Sequence, residues 1–162
     1  MGFLKGIGRL LQGKPAFVVP TQQSDVRTDT VDANKTPVDE HGYKIVPSIK
    51  VEHCKTHVDG TAARVTAWVT NEADGDIELD KSVILDRTTQ FNRFLRPGEA
   101  HEMTLYEGEA PTTDHAHKAS LYYRLVRSDD YFCAEYRVEY HRESDGICRV
   151  VDLHPDYPVR DV

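Results

Sequence analysis

The sequence predicts an all-β fold, a two-sheet antiparallel sandwich of seven to eight strands, and three observations carry that reading. After Tyr43, apolar residues recur at every second position through one stretch after another, the period of a strand with one buried face. Turn residues separate these stretches at spacings of about 10 to 15 residues, the spacing of a sandwich. Beyond residue 14 there is almost no 3.6-residue period, so helices have little place in the body of the chain.

Taken in order, residues 1–12 form an amphipathic segment, 13–42 a flexible linker, 43–154 the β-sandwich domain and 155–162 a C-terminal tail. In the first segment Phe3, Leu4, Ile7, Leu10 and Leu11 fall within an arc of roughly 120° if the chain is helical, opposite Lys5, Arg9 and Gln12. Gly6 and Gly8 each cost about 1 kcal/mol in a helix, and helices under about 12 residues are marginal alone. A short N-terminal amphipathic helix is therefore expected to fold against its own sandwich, a protein groove or an anionic membrane surface. The next stretch carries Pro15, Pro20 and Pro37 among Thr, Gln, Asp and Asn, with Ala16 to Val19 its only apolar knot; that is the composition of a linker.

Tyr43 to Val58 reads as the first strand, with Ile45, Ile49 and Val51 apolar and Pro47 marking a sheet edge. Ala63, Val65, Ala67 and Val69 alternate with Arg64, Thr66, Trp68 and Thr70. Asn71, Asp74, Gly75 and Asp76 then read as a tight turn into Ile77, Leu79, Val83 and Leu85, so a hairpin from Ala63 to Leu85 is predicted. Arg87 to Gln90 reads as a polar connection, and Phe91, Phe94 and Leu95 lead into a turn at Arg96-Pro97-Gly98-Glu99. His101 to Tyr106 follows with Met103 and Leu105 inward, then a polar loop from Gly108 to His117. The clearest alternation is in Ala119, Leu121, Tyr123 and Leu125, and again in Phe132, Ala134, Tyr136, Val138 and Tyr140. Ile147 to Leu153 reads as the last strand, and Pro155 and Pro158 make the tail after it irregular.

The run Val65-Thr66-Ala67-Trp68-Val69-Thr70-Asn71, the acidic turn after it, Ile77 to Leu85 and Leu95-Arg96-Pro97-Gly98-Glu99 resemble bacterial immunoglobulin-like β-sandwich modules. In those modules an Asn closes one strand and a Pro-Gly-Glu turn precedes another. The resemblance covers roughly residues 45–141 and implies an immunoglobulin-like antiparallel sandwich in which the strands bearing Trp68 and Tyr106 are neighbours. Leu153 to Val162 and Asp130-Tyr131-Phe132 are similar to small bacterial proteins, which implies no activity. The paired cysteines of antibody-type domains are missing, and an arrestin-like sandwich shares the same pattern.

Charge and cysteine usage narrow the function. The net charge of −7 hides a basic start: Lys5, Arg9 and Lys14 give residues 1–14 a charge of +3, so the remainder carries −10. An acidic body repels phosphate backbones, and no nucleic-acid partner is expected. Cys54, Cys133 and Cys148 are too few and odd in number for a disulfide framework, which points to a reducing, cytoplasmic setting. No window reaches the roughly 18 apolar residues of a membrane span, and Arg9 interrupts the apolar core that a signal peptide requires.

No nucleophile elbow, phosphate loop, dinucleotide fingerprint or His-Glu-x-x-His motif appears, so no enzyme and no cofactor are expected. Eight histidines raise a metal reading, but on one strand His53 and His57 face away from Cys54. His115 and His117 form a two-point chelate without a second pair at zinc spacing, so no metal site is expected either. What remains is a non-enzymatic binding or adaptor module whose partner is a protein, tethered by its N-terminal segment. The alternatives are a membrane-peripheral accessory protein anchored on an anionic surface by residues 1–12 and, least favoured, a metal-dependent enzyme. The candidate binding residues are Phe3, Ile7 and Leu10 on the amphipathic face, and Trp68, Tyr106 and Tyr122, which the alternation places outside the sandwich as an aromatic patch.

Overall fold

The computed structural model describes residues 36–114, 116–126, 128 and 130–162, the side chains of Tyr157 and Asp161 excepted. Among these residues eight strands follow one another: β1 Ile49–Asp59, β2 Ala62–Asn71, β3 Ile77–Ile84, β4 Arg87–Leu95, β5 Ala100–Glu109, β6 Lys118–Leu125, β7 Tyr131–Arg142 and β8 Cys148–Asp161. They form a three-stranded sheet in the order β1-β2-β5 and a five-stranded sheet in the order β8-β7-β6-β3-β4, every pairing antiparallel. The fold is all-β, and among the described residues no helix is long and apolar enough to cross a membrane. Val65, Val69, Leu79, Leu95, Leu121, Tyr123 and Phe132 are almost fully buried in one core, each large side chain contributing about 1.5–3 kcal/mol by burial.

The predicted hairpin from Ala63 to Leu85 does not form. β2 pairs with β1 and β5, whereas β3 pairs with β4 and β6, so residues 72–76 carry the chain from one sheet to the other. Asn71 decides the matter. It is fully buried, and its amide nitrogen donates to the carbonyls of Gly75 and Leu95, each at 2.9 Å, while its side-chain oxygen accepts from Ala73 N at 2.8 Å. Its backbone is taken up by the second crossing, from β4 to β5: Asn71 N donates to Glu99 O at 2.9 Å and Gly98 N donates to Asn71 O at 2.8 Å. A tight hairpin would leave no room for these partners. The Asn and the Pro-Gly-Glu turn singled out in the sequence are thus two halves of one corner.

Bulges move several side chains to the face opposite the one alternation gives them. In β1 two residues, His53 and Cys54, oppose Ala67 alone, with His53 at φ 55°; inward residues shift from Ile49 and Val51 to Cys54, Thr56 and Val58. In β3 Asp80 is the extra residue against β6, so Ser82 and Ile84 are buried instead of Val83 and Leu85. Leu85 and Asp86, at φ 53° and 60°, make the two-residue turn into β4, the mirror-type turn that suits strand twist. In β5 Leu105 is extra against β2, and both Leu105 and Tyr106 turn into the core. The Ser82 hydroxyl donates to Leu105 O at 2.7 Å across the sandwich.

Three other stretches differ from their sequence reading, and the first is the strand expected from Tyr43, which begins only at Ile49 and leaves Ile45 exposed. Arg87 to Gln90 is not a connection but the polar start of edge strand β4. The proline-containing tail is the second half of β8, which pairs with β7 as far as Asp161. Proline is tolerated there because β8 is an edge strand, and register shifts flank Pro155 and Tyr157. The edges of the two sheets meet where the Thr56 hydroxyl of β1 donates to Val150 O of β8 at 2.8 Å.

At the start of the described chain the buried Thr36 donates its hydroxyl to the Asp130 carboxylate at 2.5 Å, and Lys44 pairs with the other Asp130 oxygen at 3.0 Å. These bonds hold the Asp130 carboxyl down to about 2, the Thr36 hydroxyl contributing most and Lys44 next. The linker assigned to residues 13–42 therefore ends in an anchored piece. The amphipathic helix predicted over residues 1–12, with Phe3, Ile7 and Leu10, falls outside the described residues.

Candidate binding face on the three-stranded sheet

Three antiparallel strands in fixed register line up their outward residues in rows, and the rows of β1, β2 and β5 define the site. The register gives Glu52–Trp68–Glu102, then Lys55–Thr66–Thr104, then His57–Arg64–Glu107. Each row is a set of cross-strand neighbours, close enough for side chains to interact directly. In the middle row β-branched Thr66 and Thr104 stand low beside Lys55, and longer side chains occupy the rows on either side. His57, Arg64, Thr66, Glu102, Thr104 and Glu107 line a shallow depression of about 500 Å³. Thr66 is buried at its floor and shares a hydrogen bond of 3.3 Å with His57 Nε2.

Trp68 lies in the next row, 42% exposed, with a glutamate as its cross-strand partner on each side. Glu52 is paired with Lys50 at 3.6 Å. Among the described residues Arg64, Glu102 and Glu107 make no ion pair, although Arg64 and Glu107 are direct cross-strand partners. Across its three rows the face thus offers a flat π surface, three carboxylates, one ammonium, one guanidinium, one imidazole and two hydroxyls, with the indole flanked on both sides by carboxylates.

Of the candidates named from the sequence, Trp68, Tyr106 and Tyr122 lie among the described residues, and these three do not come together. β2 and β5 are neighbours as the resemblance implies, but Tyr106 is only 4% exposed because the Leu105 bulge turns it inward, where its hydroxyl donates to Glu109 O at 2.5 Å. Tyr122 lies on the other sheet, on β6, with the Lys81 ammonium 5.1 Å from its ring centroid. Its cross-strand partner is the fully buried Cys133, and burial, then Cys133, raise its hydroxyl above the ordinary range. The aromatic patch is therefore a single tryptophan. The chain matches no known protein family, no curated protein and no solved structure. Nothing but the geometry speaks for the site.

The residues that sequence reasoning missed are His57, Arg64, Glu102 and Glu107. Alternation places Arg64 and Glu102 outward, whereas His57 and Glu107 reach the outer face only because the bulges at His53-Cys54 and at Leu105 reverse the phase beyond them. Their grouping depends on which strands pair and on two bulges, and no local pattern states that. The thiols lie elsewhere: Cys133 and Cys148 are buried, and Cys54 points inward with its thiol pushed up to about 12 by burial and by the charge of Asp152. Such a thiol stays protonated and is a poor nucleophile at neutral pH.

Proposed function

We propose that this chain is a non-enzymatic binding module of immunoglobulin-like topology, which takes an extended, basic segment of a partner protein on the outer face of its three-stranded sheet. The single observation that carries the reading is the exposed indole of Trp68 held between Glu52 and Glu102 in one register row. An exposed tryptophan flanked by carboxylates suits a lysine or arginine side chain, worth about 0.5–1 kcal/mol for the cation–π contact alone. Glu107 and Thr104 continue the acceptors along the direction an extended peptide would run. The net charge of −7 favours encounter with a positive partner and disfavours nucleic acid.

What supports the immunoglobulin-like part is the strand order, β1-β2-β5 against β7-β6-β3-β4 with β8 added beyond β7. That is the order of a three-plus-four immunoglobulin-type sandwich with one further edge strand. Three free thiols fit a reducing, cytoplasmic setting. The adaptor part rests on the amphipathic face of residues 1–12, where Phe3, Ile7 and Leu10 would make a second, apolar contact with protein or with an anionic membrane surface.

Trp68 is the only tryptophan of the chain, so its fluorescence tests the proposal directly. Titration with a panel of Lys- and Arg-rich extended peptides should shift or quench the emission saturably, and the binding should weaken with added salt and in Glu102→Gln. Emission that ignores every basic peptide, or responds equally to acidic ones, would refute the reading.

A further inference from the structure

On the opposite side of the sandwich, the outer face of the β7–β8 ribbon gathers three metal-ligating side chains, Glu139, Asp152 and His154. His154 Nε2 lies 2.6 Å from Glu139 Oε1 and 3.7 Å from Asp152 Oδ2. One ligand atom from each of the three falls within 4.8 Å of the others. The backbone sets this up. A register shift at Val151 brings Asp152 directly opposite Glu139, and His154 follows two residues along the same strand, diagonal to Glu139. The His154 side chain is 37% exposed and the two carboxylates are about half exposed, so the imidazole reaches them from an open surface.

We propose that Glu139, Asp152 and His154 bind one divalent d-block cation, of which zinc is the representative. One imidazole nitrogen and two carboxylate oxygens are the mixed donor set that such ions accept, with bonds of about 2.0–2.2 Å. Tetrahedral bonds of that length hold donors about 3.4 Å apart. The 2.6 Å His154–Glu139 separation must therefore open and the 3.7 Å His154–Asp152 separation close slightly, both within reach of side-chain rotation. The ion takes the place of the proton that now joins His154 to Glu139 and neutralises the repulsion between the carboxylates. Exposure leaves the remaining coordination positions to water. Arg137, the cross-strand partner of His154, is the nearest cation in register and limits the affinity. The site departs from the expectation of no metal, which rested on local spacing: His154 and Glu139 are 15 residues apart and meet only through the bulged register.

The test is calorimetric titration of the chelator-treated full-length protein with Zn²⁺. One ion per chain is expected, with affinity at least about tenfold weaker in His154→Ala and in Asp152→Asn and unchanged in the double variant His115→Ala, His117→Ala. Circular dichroism melts check that the variants fold. Mn²⁺ added to the isotope-labelled wild-type protein should broaden the amide signals of residues 139, 152 and 154 first, a readout that needs no variant. Absence of saturable zinc binding at millimolar metal would overturn the proposal. So would binding that survives in His154→Ala, binding lost with His115 and His117, or Mn²⁺ broadening centred elsewhere.

Discussion

The two outer faces of the sandwich carry the same kind of residue in the same kind of place and use it differently. On the five-stranded sheet Tyr122 has a lysine as its direct cross-strand neighbour, and Lys81 sits 5.1 Å from its ring. Nearby Glu135 is bonded by Lys118 at 3.3 Å and Arg160 at 2.8 Å, and Cys133 is fully buried among these groups. On the three-stranded sheet Trp68 has glutamates on both sides, and Arg64, Glu102 and Glu107 make no ion pair among the described residues. One face satisfies itself. The other presents its aromatic ring and its charges to whatever arrives. An outward aromatic residue is therefore informative only together with the sign of its cross-strand neighbours.

Both faces depend on the corner that sends β2 and β3 into different sheets, and the largest expected effect lies there. Asn71→Ala removes two donors to buried carbonyls and one acceptor; each buried group left unpaired costs about 1–3 kcal/mol. A loss of about 3 kcal/mol in urea unfolding is expected, with Trp68 emission and far-ultraviolet dichroism changing together. A loss under about 1 kcal/mol would mean that water replaces the amide and that the corner does not hold the two layers.

Engaged charges should also show in acid. The Asp130 carboxyl is held down to about 2 by Thr36 and Lys44, and Arg160, with Lys118 after it, holds Glu135 below its ordinary range. A carboxyl whose folded value is depressed contributes its full stability above the unfolded value of about 4 and loses it as pH falls through the folded value. The urea midpoint should therefore drop between about pH 4 and pH 2. Asp130→Asn should lower the midpoint at neutral pH and flatten that drop. An unchanged slope in the variant would show that the Thr36–Asp130–Lys44 clasp does not contribute.

How much of this the sequence states depends on the range of the interaction. The alternation in β2, β6 and β7 places Val65, Leu121, Tyr123 and Phe132 in the core, because period and burial are both local. Asn71-Glu72-Ala73-Asp74-Gly75-Asp76 reads equally well as a hairpin turn or as a crossing, since the same polar residues serve both. Only the partners of Asn71, 24 residues away at Leu95, distinguish them. Bulges are the second barrier. A single extra residue at Asp80 or Leu105 reverses the phase beyond it, which is why Ser82 and Tyr106 are buried where alternation puts them outside. The binding face and the Glu139–Asp152–His154 cluster both depend on register across such bulges, so neither is visible in spacing alone.

A paired truncation measures the difference between the two faces. Tyr122→Ala removes a ring that covers Cys133 and receives Lys81, and should cost about 1–2 kcal/mol. Trp68→Ala should change stability by no more than about 0.5 kcal/mol and abolish binding of basic peptides, measured by calorimetry since the fluorophore is gone. Equal destabilisation in the two variants would mean that the indole is a structural cover, and the contrast between the faces would fail.

The smallest effect is also the sharpest, because it converts one face into the other. Lys81 and Tyr122 are direct cross-strand partners, and so are Glu102 and Trp68. Glu102→Lys therefore gives the indole the same kind of neighbour that the tyrosine already has. The new ammonium should settle over the ring and stabilise the fold by about 0.5–1 kcal/mol, offset in part by the nearby charges of Lys50 and Arg64. It should at the same time exclude basic peptides, by occupying the π surface and by reversing a charge they need. Glu102→Gln separates the two causes: it removes the carboxylate without supplying a cation, so it should weaken binding without the gain in stability. If Glu102→Lys still binds basic peptides as the wild type does, the ring between two carboxylates is not what recognises them, and the depression along Thr66 and Thr104 must act without it.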